Sequence, residues 1–357
     1  MRERFVFIQL RGGMDGLAAL RPDNHEVLKQ KRPGLLADGY RDSGEGFAFH
    51  PALANHHRLF MNGELSFLHA CGLPVHDRSH FKSQDHLETG KNSANARHGW
   101  LAEILEKLPS DREAVAFGST LPIILRGTKK SFNWSAPRIT DEDENLMRLL
   151  GTSLYEGDPV LEPLLPQFER IGHLTDGYSR DDVSADPFET IGKMLSKKDG
   201  PDIGVINLGN WDTHDNQKPR IAKEFSNLDQ GLGTLKKIMD NVWNDTVFII
   251  VSEFGRSVHE NGTNGSDHGT GGVCMIGGGA VKGGRSLGIW PGLEELNLFE
   301  GRDVMPTYDV RTVFAAAAKN HLGMAEPFIE DHLFPEIPKS YRDLDLIRRR
   351  RKIFGFV

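Results

Sequence analysis

With 357 residues, 38% hydrophobic and 26% charged, the chain has ample length for one large α/β domain or two smaller ones. A formal net charge of −7 and a sequence pI near 6.1 set aside a general nucleic-acid binder. No apolar run approaches a membrane span or a secretory signal, so the expectation is a soluble, cytoplasmic protein with no membrane partner.

Residues 4–10 form a short apolar run, hence a strand, followed at once by Arg11-Gly12-Gly13-Met14-Asp15-Gly16. Glycines there permit a tight turn and close approach to a ligand, and they present Asp15 at the strand end. The alternative is that Asp15 caps the segment that follows. Residues 21–50 are loop-like, 51–60 read as a helix with proline in its first turn, and 65–70 as a second strand. In the stretch 72–90 a helix is expected to begin near Ser79. A helix N-terminus favours an anion and a lowered hydroxyl pKa, so Ser79 is a candidate nucleophile as well as a candidate cap. Arg78, His80 and Lys82 stand beside it.

Residues 99–108 are amphipathic and helical, and 114–118 a short strand. The segment 119–200 is richer in charge, Pro, Gly and Ser, with helical patterns at 144–154 and 188–195; it is expected to be an insertion or cap within a single domain spanning 1–357. A strand returns at 202–208 and ends in Gly209-Asn210-Trp211-Asp212-Thr213-His214. Ile221, Phe225, Leu228, Leu232, Leu235 and Met239 then recur at intervals of three and four, an amphipathic helix leading into a strand at 247–251. This is a βαβ unit, so its two strands are expected to be parallel, with Asp212, His214 and Glu253 on the same edge of the sheet. After Glu253-Phe254-Gly255-Arg256 come a Gly/Asn/Ser-rich loop, Asp267-His268-Gly269 and an apolar run at 273–276. A helix is expected at 310–322. The basic run 348–352 reads as a solvated tail or subunit contact, which leaves an oligomer possible. Cys71 and Cys274 sit in apolar contexts and imply no disulfide.

The strand-end groups are therefore Asp15, Ser79, Asp212, His214, Glu253, Asp267 and His268. Mixed carboxylates and imidazoles suit Zn²⁺ or Mn²⁺ better than an oxygen-only Ca²⁺ cage. Such an ion beside a serine supplies both a Lewis acid and nucleophile activation. Arg78, His80, Lys82 and Arg256 are candidates for holding anionic substrate oxygens.

The motifs LRGGMDGL (10–17), FHPAL (49–53), RSHFKSQDHLETG (78–90), NWDTHDNQ (210–217), SEFGRSVHENG (252–262), SDHGTGG (266–272) and GIWPGL (288–293) resemble those of the DUF1501 proteins, a branch of the alkaline phosphatase/sulfatase superfamily. The resemblance implies an α/β fold of that kind, a doubly wound, mostly parallel sheet with helices on both faces and a two-metal site. It implies metal-ligand roles for Asp15, Asp212, His214 and His268, and the nucleophile's role for Ser79. Glu253 stands where the superfamily carries an Asp of an Asp-His pair. Phe254 follows it and cannot ligate, so one or two ions are expected, with Asp267 as a substitute ligand. Ser79, not Cys, at the nucleophile position rules out cysteine-derived formylglycine and tilts the expected substrate, a small anionic ester, from sulfate toward phosphate. The expected function is a metal-dependent hydrolase of phosphate, or else sulfate or phosphonate, esters with Ser79 as nucleophile. A phosphotransferase or mutase, and an inactive binding protein of the same fold, are the alternatives.

Overall fold

A computed structural model describes residues 2–92, 97–135 and 185–348. Among these residues the centre is a nine-stranded sheet. In chain order its strands are β1 (Arg4–Leu10), β2 (Leu65–Gly72), β3 (Ala114–Phe117), β4 (Ser131–Trp134), β5 (Ile203–Leu208), β6 (Thr246–Ser252), β7 (Gly272–Gly277), β8 (Ser286–Leu287) and β9 (Tyr308–Asp309). Across the sheet the order is β8-β2-β7-β6-β1-β5-β3-β4, with β9 also beside β2. The pairing is mostly parallel, and the class is α/β as expected.

β1 lies in the middle and is buried along its whole length. Phe5 and Phe7 join the core on one face, Val6, Ile8 and Leu10 the core on the other. That alternation, in a strand whose residues 5–8 are all apolar, is what a strand covered on both sides requires. The first face is covered by α4 (His80–Thr89), α5 (Trp100–Lys107) and α8 (Arg311–Asn320), which contribute Leu87, Trp100 and Phe314. The second is covered by α3 (Ala54–Met61), α6 (Pro187–Ser196) and α7 (Gln217–Ile238), which contribute Phe60, Phe188 and Phe225. Two short helices, α1 (Gly16–Ala19) and α2 (Glu26–Lys31), follow β1.

β5 and β6 flank β1, both parallel to it and in register: Leu10 stands opposite Leu208 on one side and Ser252 on the other. The loops after these three strands leave the sheet at the same height on its carboxyl edge. β7 is different, because it runs antiparallel to both β6 and β2. Residues just before β7 therefore return to the edge that residues just after β6 have left. This reversal brings Asp267 and His268 back beside Ser257 and Arg256.

The helix expected at 51–60 begins three residues later, at Ala54, because 50–53 form a turn closed by the Leu53 N–H on the His50 carbonyl. Both ends of the segment 119–200 are built into the main body. β4 extends the sheet, and α6 buries Phe188, Ile191 and Leu195 in the core. The helical pattern at 144–154 lies outside the described residues. Of the basic run at 348–352 only Arg348 is described, and it donates to the Gly63 and Val281 carbonyls, both at 2.9 Å. No helix among the described residues is long and apolar enough to cross a membrane.

Candidate metal centre

At the carboxyl edge three elements bring together His80, the first residue of α4, Asp212 from the loop after β5, and His268 from the loop before β7. One ligand atom from each lies within 4.8 Å of the others. His80 Nε2 is 3.0 Å from His268 Nε2, and Asp212 places Oδ1 3.3 Å from His268 Nε2 and Oδ2 3.5 Å from His80 Nε2. His214 stands at the same point, its Nε2 2.9 Å from both His268 Nε2 and Asp212 Oδ1.

The outer nitrogens fix the tautomers. His80 Nδ1 lies 2.7 Å from the Glu253 carboxylate, and His268 Nδ1 lies 2.9 Å from the Arg78 carbonyl. Carboxylates and carbonyls accept, so both Nδ1 atoms carry the proton. Two neutral imidazoles then point Nε2 lone pairs at one another across 3.0 Å, with a carboxylate beside them. Only a positive species between them relieves that repulsion. The hydrogen bond that His80 donates to Glu253 chiefly holds the His80 pKa up, against the effect of burial. Burial, with the His80 charge adding to it, pushes His268 down. Two imidazoles and a carboxylate with second partners already in place fit a divalent transition ion.

A second layer supports this one. Burial alone would raise the Glu253 carboxyl, but His80 and Gln84 bonding outweighs it and holds the group below the usual carboxylate range. Its Oε1 accepts from His80, from Gln84 Nε2 at 2.9 Å and from the Gly12 N–H at 2.9 Å. Glu253 thus holds the His80 ring in place. Asp212 behaves likewise: burial raises it, and the Arg256 guanidinium more than compensates. Arg256 is buried, and its donors go to the carbonyls of Gly12, Gly13, Trp211 and Ser266 and to Asp212. It joins the loops after β1, β5 and β6 and is only 1% exposed. Phe254, 5% exposed, lays its ring 4.8 Å from His80 and 5.0 Å from His268, a hydrocarbon wall to the cluster. Gly13 must be glycine: its φ is +68°, and a Cβ there would collide with the Phe254 ring.

Asp15 stands apart from the cluster. Its Oδ1 accepts the Leu17 and Ala18 N–H groups at the start of α1, both oxygens take the Arg32 guanidinium at 3.0 and 2.7 Å, and Gln217 donates to Oδ2 at 2.5 Å. The capping alternative accounts for it, and both oxygens are taken. Ser79 occupies the N-cap position of α4, as expected, yet its half-buried hydroxyl makes no capping bond. Arg78 pairs with Asp303 and Glu300, both at 2.7 Å, and exposed Lys82 with Asp77 at 3.1 Å. Asp267 is exposed and lies 3.6 Å from His214 Nδ1. Two residues escape the sequence reading: Gln84, which bridges Glu253 and Arg11, and Arg11 itself, 41% exposed at the strand end with Glu88 3.7 Å away.

A family model described as "Protein of unknown function (DUF1501)" matches residues 68–333, well over half of the chain. The chain belongs to the DUF1501 family. No curated protein matches this DUF1501 chain. Solved structures similar to it include murine ectonucleotide pyrophosphatase/phosphodiesterase 5, at 11% identity over 71% of this chain and 57% of that chain, TM-score 0.36. Others are BT1596, a 2-O GAG sulfatase, at 11% identity over 80% and 66%, TM-score 0.40, and a mutant of TAB5 alkaline phosphatase with Mg bound in its M3 site, at 10% identity over 78% and 91%, TM-score 0.36. The DUF1501 chain spans less than two thirds of the length of the first two.

Proposed function

We propose that this DUF1501 chain is a metal-dependent hydrolase of small anionic esters, phosphate esters foremost, with Ser79 as nucleophile. The observation that carries the proposal is the convergence of the His80 and His268 Nε2 lone pairs and the Asp212 carboxylate on one point, with Ser79 adjacent to His80 in the chain. Imidazole-rich ligation favours Zn²⁺ or Mn²⁺, and the Phe254 wall favours one ion over two. Bound there, the ion supplies Lewis acidity to an ester oxygen.

The chain's own residues do the rest. The N-terminus of α4 favours the charged form of the Ser79 hydroxyl, which forms the new bond to phosphorus as the bond to the leaving alcohol breaks. The proton that the Ser79 hydroxyl gives up is relayed by half-exposed His214 to that leaving alcohol, so none is left over. Water then cleaves the seryl ester. Arg11, with a side chain 41% exposed against 29% for Arg78 and none for Arg256, offers the most guanidinium surface at this edge for the remaining anionic oxygens.

The test is elemental analysis of protein purified without chelator, with turnover of aryl phosphates and sulfates by wild type and Ser79→Ala. The expected result is about one Zn or Mn per chain, with metal retained and turnover lost in the variant. Undiminished turnover in Ser79→Ala removes the nucleophile, and failure to take metal even when it is added back overturns the reading. A second reading, in which the ion only holds the loops together, draws on the packing of Phe254 against both imidazoles. It is the outcome if metal binds fully and no ester turns over.

A further inference from the structure

Behind the ligands stands a carboxylate closed off from solvent. Asp303 follows β8 in the chain, and its backbone bridges antiparallel to Ser257, the residue after Arg256. The Val258 N–H donates to the neighbouring Arg302 carbonyl at 3.0 Å. Asp303 is thereby fixed to the chain that leaves β6, and it is 0% exposed. Two guanidiniums share its carboxylate. Arg78 gives Nε and Nη2 to Oδ2 at 3.0 and 2.7 Å, and Arg302 gives Nε to Oδ1 at 2.8 Å. A carboxylate out of water needs partners of this kind.

Charge balance is not all that the trio achieves, because both arginines also reach His268. The Arg78 carbonyl accepts the His268 Nδ1 proton at 2.9 Å, and Arg302 Nη2 donates to the His268 carbonyl. Ring and backbone of one ligand are thus gripped by two residues that a single carboxylate joins. The grip matters here, since His268 lies in neither a helix nor a strand and no regular element aims its ring. With Nδ1–H held on a carbonyl, the Nε2 lone pair faces the centre. Arg78 also stands two residues before His80, so the same carboxylate ties the start of α4 to the loop of His268.

We infer that Asp303 is a positioning residue, holding His268 through Arg78 and Arg302 in the tautomer and direction that ligation requires. The inference deepens the proposed metal centre and rests on it only for the ion; the hold on His268 stands without it. Glu300 provides the contrast. Its carboxylate also meets Arg78 Nη2 at 2.7 Å, but its side chain is 60% exposed, where an ion pair contributes little. Asn at position 303 keeps the shape of Asp, yet turns an NH₂ group toward one of the two arginines, donor against donor. That arginine is released, and its hold on His268 with it.

The experiment compares full-length wild type with Asp303→Asn, Arg302→Gln and, as a control, Glu300→Gln. Zn²⁺ affinity is measured by competition with a chromophoric chelator, and the visible spectrum of Co²⁺-loaded protein reports ligand geometry. Nitrogen NMR of histidine-labelled, metal-free protein reports the His268 tautomer, with its signals assigned by their loss in His268→Gln. Asp303→Asn is expected to weaken Zn²⁺ binding by about 10–100-fold, to change the Co²⁺ spectrum and to lose the fixed Nδ1–H form of His268. Arg302→Gln leaves Asp303 paired with Arg78 and is expected to move the same readouts less far, while Glu300→Gln matches wild type. A role in stability alone would lower the melting temperature of Asp303→Asn and leave affinity, Co²⁺ spectrum and tautomer as in wild type, which overturns the inference. An equal loss in Glu300→Gln overturns it too. Should Asp303→Asn not fold, wild-type behaviour of Arg302→Gln has the same force. Failure of wild type to bind either metal overturns the centre alone, and the histidine spectra then decide the inference.

Discussion

At Arg256 one guanidinium closes three loops at once, and that economy explains why the centre needs so few residues. Its position after β6 places it behind Asp212, where it fixes a carboxylate that would otherwise be free to turn in solvent at 45% exposure. Glu253 does the same for His80 from the other side. The expected consequence is that Glu253→Gln, which keeps shape and loses charge, lowers metal affinity by about 10–100-fold while leaving the ligands in place. Competitive chelator titration of wild type and variant measures this, and equal affinities would deny Glu253 its orienting role. The legibility of single residues in the sequence was uneven. His268 and Asp212 are readable because they sit next to strand ends. Gln84 is readable in principle, since His80, Gln84 and Glu88 recur every four residues along one face of α4. The cap made by Asp15 is readable too, but its pairing with Arg32 is not, because Arg32 comes from a stretch, 21–50, with no periodicity to place it.

Among the elements, strands and helices with one clear period were legible almost to the residue, β1 and α7 above all. The antiparallel course of β7 was not, since an apolar run carries no sign of its direction. Nor was the tie between α7 and α3 legible. Asp229, buried in α7, accepts the Asn55 and His56 N–H groups at about 3.0 Å and the His56 ring Nδ1 at 2.7 Å, capping the start of a helix 174 residues away. Burial opposes its charge, but the His56 ring and these N–H groups win and hold its pKa below the ordinary carboxylate value. A depressed carboxylate pKa adds stability that is present above the unfolded value, near about 4, and lost as pH falls through the folded one. Asp229→Ala is therefore expected to cost about 2–3 kcal/mol at neutral pH, with the gap to wild type narrowing in acid below about pH 4. Urea denaturation of both proteins at a series of pH values checks this. A gap that stays constant into strong acid would assign the loss to packing alone.

For the molecule as a whole, the cluster draws on distant parts of the chain: His80 and His268 are 188 residues apart, and His268 and Asp212 56 apart. An ion held by all three would be a removable cross-link, closing chain loops of a size whose entropy dominates the unfolded state. None of these ligands is near another until β1, β5, β6 and β7 have assembled, so the unfolded chain offers no comparable site. The ion's whole binding energy then counts toward folding, about 4 kcal/mol at a free concentration a thousand times its dissociation constant. Chelation is expected to lower the melting temperature, an effect restored by adding the metal back; calorimetry showing no shift would mean the ion contributes nothing to the fold. The wider consequence concerns time rather than energy. A staple held in half-exposed loops can be released without unfolding the strands beneath, so the rate at which the ion exchanges would report the opening of those loops and not of the core.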